Sequence, residues 1–295
     1  MCGQGTGGSR WTALAAVVAF AVLGWPGGAT AGSAGPTVSL GKAKGLHYFK
    51  AKFEQVVSQV AQPAQCGDAN PTGGGGAISG PTADAFLHES YPLPGNGWQA
   101  EGSTTGAART LTAFAVCGGA DLDYTANQSA FPENTTLHAT GTCGPSLEPI
   151  GGGASATGPG IQFIASRPQR PPSTPGWASS ASNTTMDDTL LDAHAVCSDD
   201  YTVKYRQSDP VRLAAGDSAK AIAKCKPDEA VMGGGFMGVK GEVIGYRTPV
   251  LATKPWDSKD DAKKVPDDGW LAKAGNLQDF RVNLVAHAVC KRPSA

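Results

Sequence analysis

Two histidines and several pairs of adjacent aspartates are the residues of this sequence that could carry out chemistry. His194 and His287 each lie three residues before a cysteine, within a run of the form Leu-x-Ala-His-Ala-Val-Cys. A third run of this form holds Phe114 in the histidine position. Because that position accepts phenylalanine, we interpret it as a packing position on a strand rather than as a metal ligand or a general base.

The aspartate pairs could suggest the carboxylates of a glycosidase. That chemistry needs two carboxyl groups about 5–10 Å apart, one of them with a raised pKa. Adjacent aspartates in polar stretches point apart, so we interpret them as solvated turns; they are Asp187-Asp188, Asp199-Asp200, Asp260-Asp261 and Asp267-Asp268. The sequence has neither a His-Glu-x-x-His zinc motif nor a Gly-x-Ser-x-Gly nucleophile motif. We therefore expect no catalytic residues, no metal site and no cofactor, and more generally a protein that is not an enzyme.

These residues belong to a pattern that the chain contains three times. Each copy has a cysteine, three consecutive glycines, a Gly-Trp pair and a strand-like run that closes on a second cysteine. We take the glycine triplets as Gly74–Gly76, Gly151–Gly153 and Gly233–Gly235, and the tryptophans are Trp98, Trp177 and Trp270. Because spacing and residue types agree in all three copies, the pattern is an internal repeat, and it decides the architecture.

The cysteines indicate an exported protein. Residues 1–31 are predicted to be a secretory signal peptide, with an apolar run and an Ala29-Thr30-Ala31 cleavage site. Its removal takes away Cys2 and leaves an even number of cysteines, which form disulfides in an oxidising compartment. Two cysteines in each copy predict the disulfides Cys66–Cys117, Cys143–Cys197 and Cys225–Cys290. We therefore expect a secreted, extracellular protein.

Alternation of side chains in the closing runs predicts an all-β fold of three disulfide-closed antiparallel repeats. The expected organisation is a flexible tether (32–44), repeat 1 (45–119), repeat 2 (120–199) and repeat 3 (200–295). The repeats are expected to abut, either as small sandwiches or as a three-fold β-prism. Helical spacing of Phe49, Phe53 and Val56 leaves a helix open in repeat 1.

Glycine triplets are unfavourable in strands, because they provide no side chains to pack and cost backbone entropy. Their recurrence indicates that something bulky approaches the backbone. We predict that the tryptophan of each repeat lies over a floor of its glycines. An anion-cradling loop is the alternative, but no Lys-Ser/Thr pair follows any triplet.

The repeat resembles one found in secreted bacterial proteins of unassigned role, which combine Cys, Gly-Gly-Gly, a Ser-x-Pro turn, Gly-Trp and Ala-Val-Cys. Ser90-Tyr91-Pro92 and Ser166-Arg167-Pro168 match the turn, whereas the third copy departs from it with Arg247-Thr248-Pro249. The resemblance implies a small β module without known catalytic residues. Asp187-Asp188-Thr189-x-Leu191 is similar to a strand ending of the vitelline membrane outer layer protein, a three-fold β-prism.

The connection from proline to Gly-Trp is where the repeats differ. It is longest in repeat 3, where loop 251–268 holds Trp256, Lys254 and Lys259. Long loops on a rigid β scaffold often carry recognition, so these three residues are the candidate binding site. A charge-balanced surface loop without a function is the alternative.

The formal net charge of −1 and the absence of a basic stripe argue against nucleic acid and membrane surfaces as partners, and no membrane insertion is expected. The function predicted is a secreted, non-catalytic binding or structural module at the cell envelope, with carbohydrate or another envelope polymer as ligand. Two alternatives stay open: an extracellular hydrolase with a site between repeats, and a secreted inhibitor or effector that acts through loop 251–268.

Overall fold

The structure, a computed structural model, describes residues 35–56, 60–81, 84–119, 121–156, 161–170, 172–240, 243–244, 248–258 and 265–293. These residues belong to one compact unit, residues 31–295. The predicted signal peptide, residues 32–34 of the predicted tether, and Lys259 lie outside the described residues. The described part of the chain is built from strands and contains no helix, so the all-β prediction is confirmed.

The three repeats contain seven, six and eight strands along the sequence. Repeat 1 contains β1 (Val38–Ala43), β2 (Leu46–Val56), β3 (Val60–Gln65), β4 (Asn70–Ile78), β5 (Ala85–Leu93), β6 (Gly97–Thr104) and β7 (Arg109–Gly118). Repeat 2 contains β8 (Asp123–Phe131), β9 (Thr136–Thr142), β10 (Glu148–Ala156), β11 (Ile161–Gln169), β12 (Gly176–Asn183) and β13 (Thr189–Ser198). Repeat 3 contains β14 (Val203–Gln207), β15 (Val211–Leu213), β16 (Ser218–Lys224), β17 (Ala230–Lys240), β18 (Val243–Ile244), β19 (Val250–Trp256), β20 (Gly269–Gly275) and β21 (Val282–Lys291).

Three antiparallel sheets result, and each takes strands from two repeats. Sheet A has the order β1-β2-β7-β4-β19-β20-β16, sheet B the order β3-β6-β5-β10-β13-β8, and sheet C the order β14-β21-β17-β11-β12-β9. Two short strands complete sheet C, with β15 paired to β21 and β18 paired to β17. Every repeat therefore divides its strands between two sheets. The pairs β4–β19, β5–β10 and β11–β17 join one repeat to the next. This cyclic sharing of strands matches the prism alternative.

A tyrosine near the start of each repeat forms a hydrogen bond to a neighbouring repeat. The hydroxyl of Tyr48 in repeat 1 donates to the carbonyl oxygen of Val231 in repeat 3 at 2.7 Å. Tyr124 donates to the carbonyl oxygen of Pro71 at 3.1 Å. Tyr205 shares its single hydroxyl proton between the carboxylate of Glu148 at 2.7 Å and the carbonyl oxygen of Pro149 at 3.0 Å. Each bond therefore links a repeat to the glycine strand of its neighbour.

The predicted disulfides are confirmed. Cys66–Cys117, Cys143–Cys197 and Cys225–Cys290 are all formed, with Cα–Cα distances of 5.7 Å. The first cysteine of each pair follows the last residue of β3, β9 or β16, and the second lies near the end of β7, β13 or β21. Each disulfide therefore ties together the two sheets that its repeat enters. Such bonds persist in oxidising compartments, which fits an extracellular setting.

The prediction that tryptophan lies over glycine is confirmed in all three repeats. A β-carbon at Gly74 would lie 2.2 Å from Cγ of Trp98, and one at Gly152 or Gly234 would lie 2.3 Å from Cγ of Trp177 or Trp270. The three indoles are fully buried. Each indole N–H donates to a hydroxyl at 2.8–2.9 Å; the acceptors are Ser90, Ser166 and Thr253. The polar N–H group of each indole therefore has a hydrogen-bond partner although it is buried.

These contacts correct the alignment of the first glycine triplet. The equivalent of Gly152 and Gly234 is Gly74, so the triplet of repeat 1 is 73–75 rather than 74–76. Its first glycine faces another repeat, because a β-carbon at Gly73 would lie 2.3 Å from the carbonyl oxygen of Met232. Gly151 and Gly233 approach Thr72 and Ile150 in the same way. The glycine strands of the three repeats therefore meet backbone to backbone.

The leader of repeat 1 is the strand β2, so the helix left open there does not form. Phe49 and Phe53 lie on one face, as alternation requires, and pair with Ala115 and Leu111 of β7. A register shift between Phe53 and Val56 inserts one residue and returns Val56 to the buried side. This bulge produced the spacing that resembled a helix.

Replacement of Gly74 by alanine tests the packing of tryptophan on glycine. The new β-carbon would overlap Trp98, which is fully buried, and would lie 2.4 Å from the carbonyl oxygen of Phe114. We expect a loss of about 1–3 kcal/mol of stability, measured by denaturant unfolding. Gly119→Ala is the control, because no atom lies within 4 Å of its β-carbon position. Equal stability of the two variants would contradict this account of the core.

Candidate functional site

The third glycine of each triplet brings two side chains together on the outer surface of a sheet. Gly75, Gly153 and Gly235 pair with Phe114, His194 and His287, the three positions that the sequence marked as equivalent. On the other side of each glycine, a β-carbon would lie 1.7–1.8 Å from a carbonyl oxygen of the adjoining repeat. The residues that follow these carbonyls are Lys254, Tyr91 and Arg167. Each sheet thus carries one central pair of outward side chains, which we call the central pair.

The three central pairs differ in chemistry. On sheet A, the ammonium nitrogen of Lys254 lies 4.9 Å from the ring centroid of Phe114. On sheet B, the rings of Tyr91 and His194 stack with centroids 5.0 Å apart. On sheet C, the charge of Arg167 contributes to lowering the pKa of His287. The same backbone geometry therefore presents a cation, an aromatic pair and a guanidinium–imidazole pair.

The central pairs also correct the predicted alignment of repeat 3. The hydroxyl of Thr253 accepts a hydrogen bond from the indole N–H of Trp270, and Pro255 is the cross-strand partner of Trp270. The turn equivalent to Ser90-Tyr91-Pro92 is therefore Thr253-Lys254-Pro255, not Arg247-Thr248-Pro249. Lys254 and Trp256 lie in β19, so the connection that follows this strand spans 257–268 rather than 251–268.

Sheet A carries a strong positive charge on its strands. Seven lysines lie in these strands: Lys42, Lys50, Lys52, Lys220, Lys224, Lys254 and Lys273. The only acidic residue in the same strands is Glu54. The pKa of Lys254 is lowered by burial and by the charges of Lys220 and Lys50. The expectation that the chain has no basic stripe is therefore wrong, because lysines distant in sequence meet on one sheet.

Two lysines of this sheet lie directly opposite each other. Lys220 and Lys273 are partners across β16 and β20, and Lys273 is also the partner of Ala252 in β19. Like charges in directly opposite positions destabilise a sheet. Among the described residues, no carboxylate forms an ion pair with either lysine. An anion bound across them would relieve the repulsion.

Six of these lysines lie on the outer surface of sheet A, which we call the lysine face: Lys50, Lys52, Lys220, Lys224, Lys254 and Lys273. Trp256 lies at the edge of the lysine face. It is half-buried at the end of β19, and the ammonium nitrogen of Lys224 lies 5.7 Å from its ring centroid. Of the three candidates from the sequence, the structure places Lys254 and Trp256 on the same strand, and it does not describe Lys259. The neighbours Lys50, Lys220 and Lys273 were missed, because their contributions to this surface come from three separate segments.

Sheet B has the opposite charge. Its strands contain five acidic residues and no lysine or arginine; the acids are Glu89, Glu101, Asp123, Glu148 and Asp192. Glu89 and Glu101 are partners across β5 and β6, and their carboxyl groups are hydrogen-bonded. Burial, followed by the charge of Glu101, raises the pKa of Glu89 to about 8. Glu89 therefore holds a proton at neutral pH.

The carboxyl pair and the neighbouring histidines lack the geometry of a hydrolase site. The two carboxyl groups bond to each other, which is closer than the separation that a glycosidase needs. His88 is buried beside Glu101, with Nε2 3.7 Å from Oε1, and burial lowers the pKa of His88 to about 4. His194 bonds to Ser155 at 2.9 Å and stacks on Tyr91, so its ring is held on the sheet.

One group of metal-ligand atoms occurs among the described residues. Cys225, Glu229 and Cys290 bring ligand atoms within 4.8 Å of one another. The two sulfurs form a disulfide, and the carboxylate accepts two bonds from Arg206 at 2.6 and 2.8 Å. The group therefore offers no thiolate to a metal ion.

The predicted aspartate turns are described in part. Asp187, Asp188, Asp199 and Asp200 are exposed, as a solvated turn requires. Asp267 and Asp268 differ in being half-buried, and the carboxylate of Asp268 accepts bonds from the backbone N–H and the hydroxyl of Ser258 at 2.6 and 2.7 Å. Asp260 and Asp261 lie outside the described residues.

Comparison with protein-family models and with characterised proteins finds no match to this chain. The resemblance to secreted bacterial repeats therefore stays a prediction. Within the ranges that the structure describes, no helix is long and apolar enough to cross a membrane.

Replacement of Glu89 by glutamine tests the buried proton. Because the folded-state pKa is raised from 4.5 to about 8, the stability that protonated Glu89 contributes is complete below pH 4.5 and is lost as the pH rises towards 8. We expect the wild-type protein to lose stability with rising pH more steeply than Glu89→Gln, by up to about 1.4 kcal/mol per pH unit, in unfolding measurements between pH 5 and 8. The two proteins must be compared, because the lowered pKa values of His88 and His287 give both of them a slope of opposite sign below about pH 6.5. The exposed Glu54→Gln should match the wild-type protein, and equal slopes in the wild-type protein and Glu89→Gln would show that the proton lies elsewhere.

Proposed function

We propose that the protein is a secreted, non-catalytic binding module that holds an anionic carbohydrate or another anionic envelope polymer on the outer surface of sheet A. The observation that carries the proposal is the concentration of lysines on one sheet with almost no carboxylate between them. The net charge of −1 conceals this segregation, since the acidic residues lie in the strands of sheet B.

The spacing of the lysines supports a polymer as the ligand. Neighbouring strands lie about 4.8 Å apart, and side chains on one face of a strand repeat about every 6.6–6.8 Å. Lys273 and Lys220 are neighbours across strands, whereas Lys50 and Lys52 are neighbours along one strand. A chain of sugars with regularly placed carboxylate, phosphate or sulfate groups could contact several of these positions at once.

Trp256 supports a carbohydrate in particular. A half-buried indole beside lysines offers a flat apolar surface next to charge, which suits the ring of an acidic sugar. The basic character of sheet A also fits nucleic acid, because phosphates are the usual partners of clustered lysines. The predicted signal peptide and the disulfides favour an extracellular polymer over nucleic acid.

The two alternatives lack a comparable observation. A hydrolase needs a cleft that holds an acid and a base at the substrate, whereas the carboxyl pair and His194 are bonded to neighbours on a sheet. An effector acting through the connection 257–268 would depend on residues that the structure describes only at 257–258 and 265–268. The binding module is therefore the favoured function.

Neutralising two lysines tests the lysine face. The double variant Lys220→Gln, Lys273→Gln removes the charges that lie opposite each other and leaves polar side chains that are one atom shorter. We expect retention of the mature protein on immobilised polygalacturonate and heparin to weaken by at least about fivefold. The dependence of affinity on salt should also fall by about one to two counterions.

Lys204→Gln, Lys226→Gln is the matched control, because both residues are exposed, lie outside sheet A and change the net charge equally. Equal loss in both double variants would show that binding follows net charge and would overturn the assignment to sheet A. Tighter binding of double-stranded DNA than of either polysaccharide would replace the carbohydrate with nucleic acid as the ligand class.

Replacement of Trp256 by alanine tests the aromatic contribution. Trp256 is half-buried at the end of β19, whereas the three indoles of the core are fully buried. We expect Trp256→Ala to abolish or strongly weaken polysaccharide retention while leaving the melting temperature unchanged. A large fall in melting temperature would instead identify Trp256 as part of the core.

A further inference from the structure

We propose that sheet C carries a second and separate binding site, in which Arg167 and His287 bind the carboxylate group of a small acidic ligand. Within the described part of the chain, a buried imidazole nitrogen without a partner lies beside a guanidinium without a counter-ion, and both line one groove. This site is independent of the proposed function, because it lies on a different sheet and uses different residues.

Arg167 is the free charge of this groove. It lies in β11, half-buried, and burial lowers the pKa of its guanidinium. Among the residues that the structure describes, no carboxylate forms an ion pair with it. The strands of sheet C contain no aspartate or glutamate at all. Burial of a charge is costly unless it is paired, so this arginine needs an anion.

His287 supplies the second donor. Its side chain is 8% exposed, and its Nε2 is buried without a hydrogen-bond partner among the described residues. Burial, together with the charge of Arg167, lowers the pKa of His287 to about 4, so the ring is neutral at pH 7. A buried polar atom without a partner costs stability. In the tautomer that carries the proton on Nε2, a ligand oxygen that moved the covering side chains aside and accepted a hydrogen bond from this nitrogen would remove that cost.

The other cations of the groove are already engaged. Arg206 forms a two-pronged ion pair with Glu229, at 2.6 and 2.8 Å. The guanidinium of Arg170 stacks 4.3 Å from the ring centroid of Tyr205, whose hydroxyl donates to Glu148 at 2.7 Å. Both contacts hold these side chains at the walls of the groove, and Arg167 is the cation of the groove that contacts neither a carboxylate nor a ring among the described residues.

The dimensions of the groove indicate a small ligand. Its volume is about 380 Å³, and Arg167, Arg170, Tyr205, Gln207 and His287 are among its lining residues. Gly235 has no side chain to block it and is the cross-strand partner of His287. A second hollow of about 360 Å³ adjoins Arg167 on the side of His138 and Ser180. The body of the ligand could extend along the sheet in that direction.

A carboxylate fits these donors better than phosphate. An arginine fork matches the two oxygens of a carboxylate with two parallel hydrogen bonds. The neutral imidazole adds a donor without adding charge, so Arg167 and His287 together suit a single negative charge. A phosphate dianion would also need the charge of Arg170, which is held against the ring of Tyr205. The carboxylate could come from a sugar acid or from the free C-terminus of a peptide.

Titration of the mature protein with three probes tests the site. The probes are galacturonate, an N-acetylated dipeptide with a free C-terminus, and inorganic phosphate, with binding followed by calorimetry and by the NMR signals of the His287 ring. We expect saturable binding of at least one carboxylate probe, with weaker binding of phosphate. Arg167→Gln should weaken binding by at least about tenfold, and Arg167→Lys should recover part of it, because lysine keeps the charge but not the fork.

The chain provides controls for folding. His287→Phe introduces the residue that repeat 1 carries at the equivalent position, so the sheet should tolerate it while the donor is lost. Arg212→Gln removes an exposed charge from the edge strand β15 and should leave binding unchanged, as should Lys220→Gln, Lys273→Gln. Absence of saturable binding, phosphate binding tighter than carboxylate, or equal losses in Arg167→Gln and Arg212→Gln would each overturn the proposal. Loss in the lysine variant alone would move the carboxylate to sheet A.

Discussion

Three strands, one from each repeat, approach one another so closely at the glycine triplets that no β-carbon fits between them. The first glycine meets the backbone of another repeat, the second receives a tryptophan ring, and the third receives a backbone carbonyl of the adjoining repeat. The pairing of strands from different repeats depends on these contacts, because the backbones of the glycine strands can approach so closely only where no side chain lies between them. The tyrosine bonds and the disulfides reinforce an arrangement that the glycines permit.

This arrangement separates structural residues from surface residues. Side chains that alternate inwards, such as Trp98 and its equivalents, are used for packing in all three repeats. Side chains that alternate outwards are free to differ, and they do: lysines dominate sheet A, carboxyl groups sheet B, and arginine with histidine sheet C. The central pairs show the contrast most directly, because the backbone at Gly75, Gly153 and Gly235 is equivalent while the flanking residues are not.

The parts of the fold that could be predicted from sequence are those that repeat in sequence. Disulfide pairing, the β class and the packing of tryptophan on glycine all followed from three copies keeping the same residues in step. The turn of repeat 3 could not be aligned correctly, because Thr253 replaces the serine that bonds to the indole and Pro249 offered a misleading match. The helical spacing at Val56 arose from a bulge, which depends on a partner strand that the local sequence does not reveal.

The candidate surfaces were harder to predict, because they combine segments from different repeats. Lys50 and Lys220 share a sheet although they belong to the first and third repeats, so only the strand order could place them together. Glu89 and Glu101 are neighbours in one repeat, yet their pairing depends on the turn between β5 and β6. Lys254 and Trp256 were the exceptions, since they lie in the longest connection between proline and Gly-Trp, the feature in which the repeats differ in sequence.

The order in which the three repeats assemble follows from the strand pair that joins repeat 1 to repeat 3. Ala77 of repeat 1 pairs with Ala252 of repeat 3, so sheet A unites the beginning of the folded chain with its end. Contacts between residues so distant in sequence form late, because the intervening chain must first be brought together. A chain that enters the oxidising compartment with its N-terminus first therefore exposes the unpaired edge of β4 until repeat 3 arrives. Before that joint closes, this edge is a place where a strand of another chain could pair and begin aggregation.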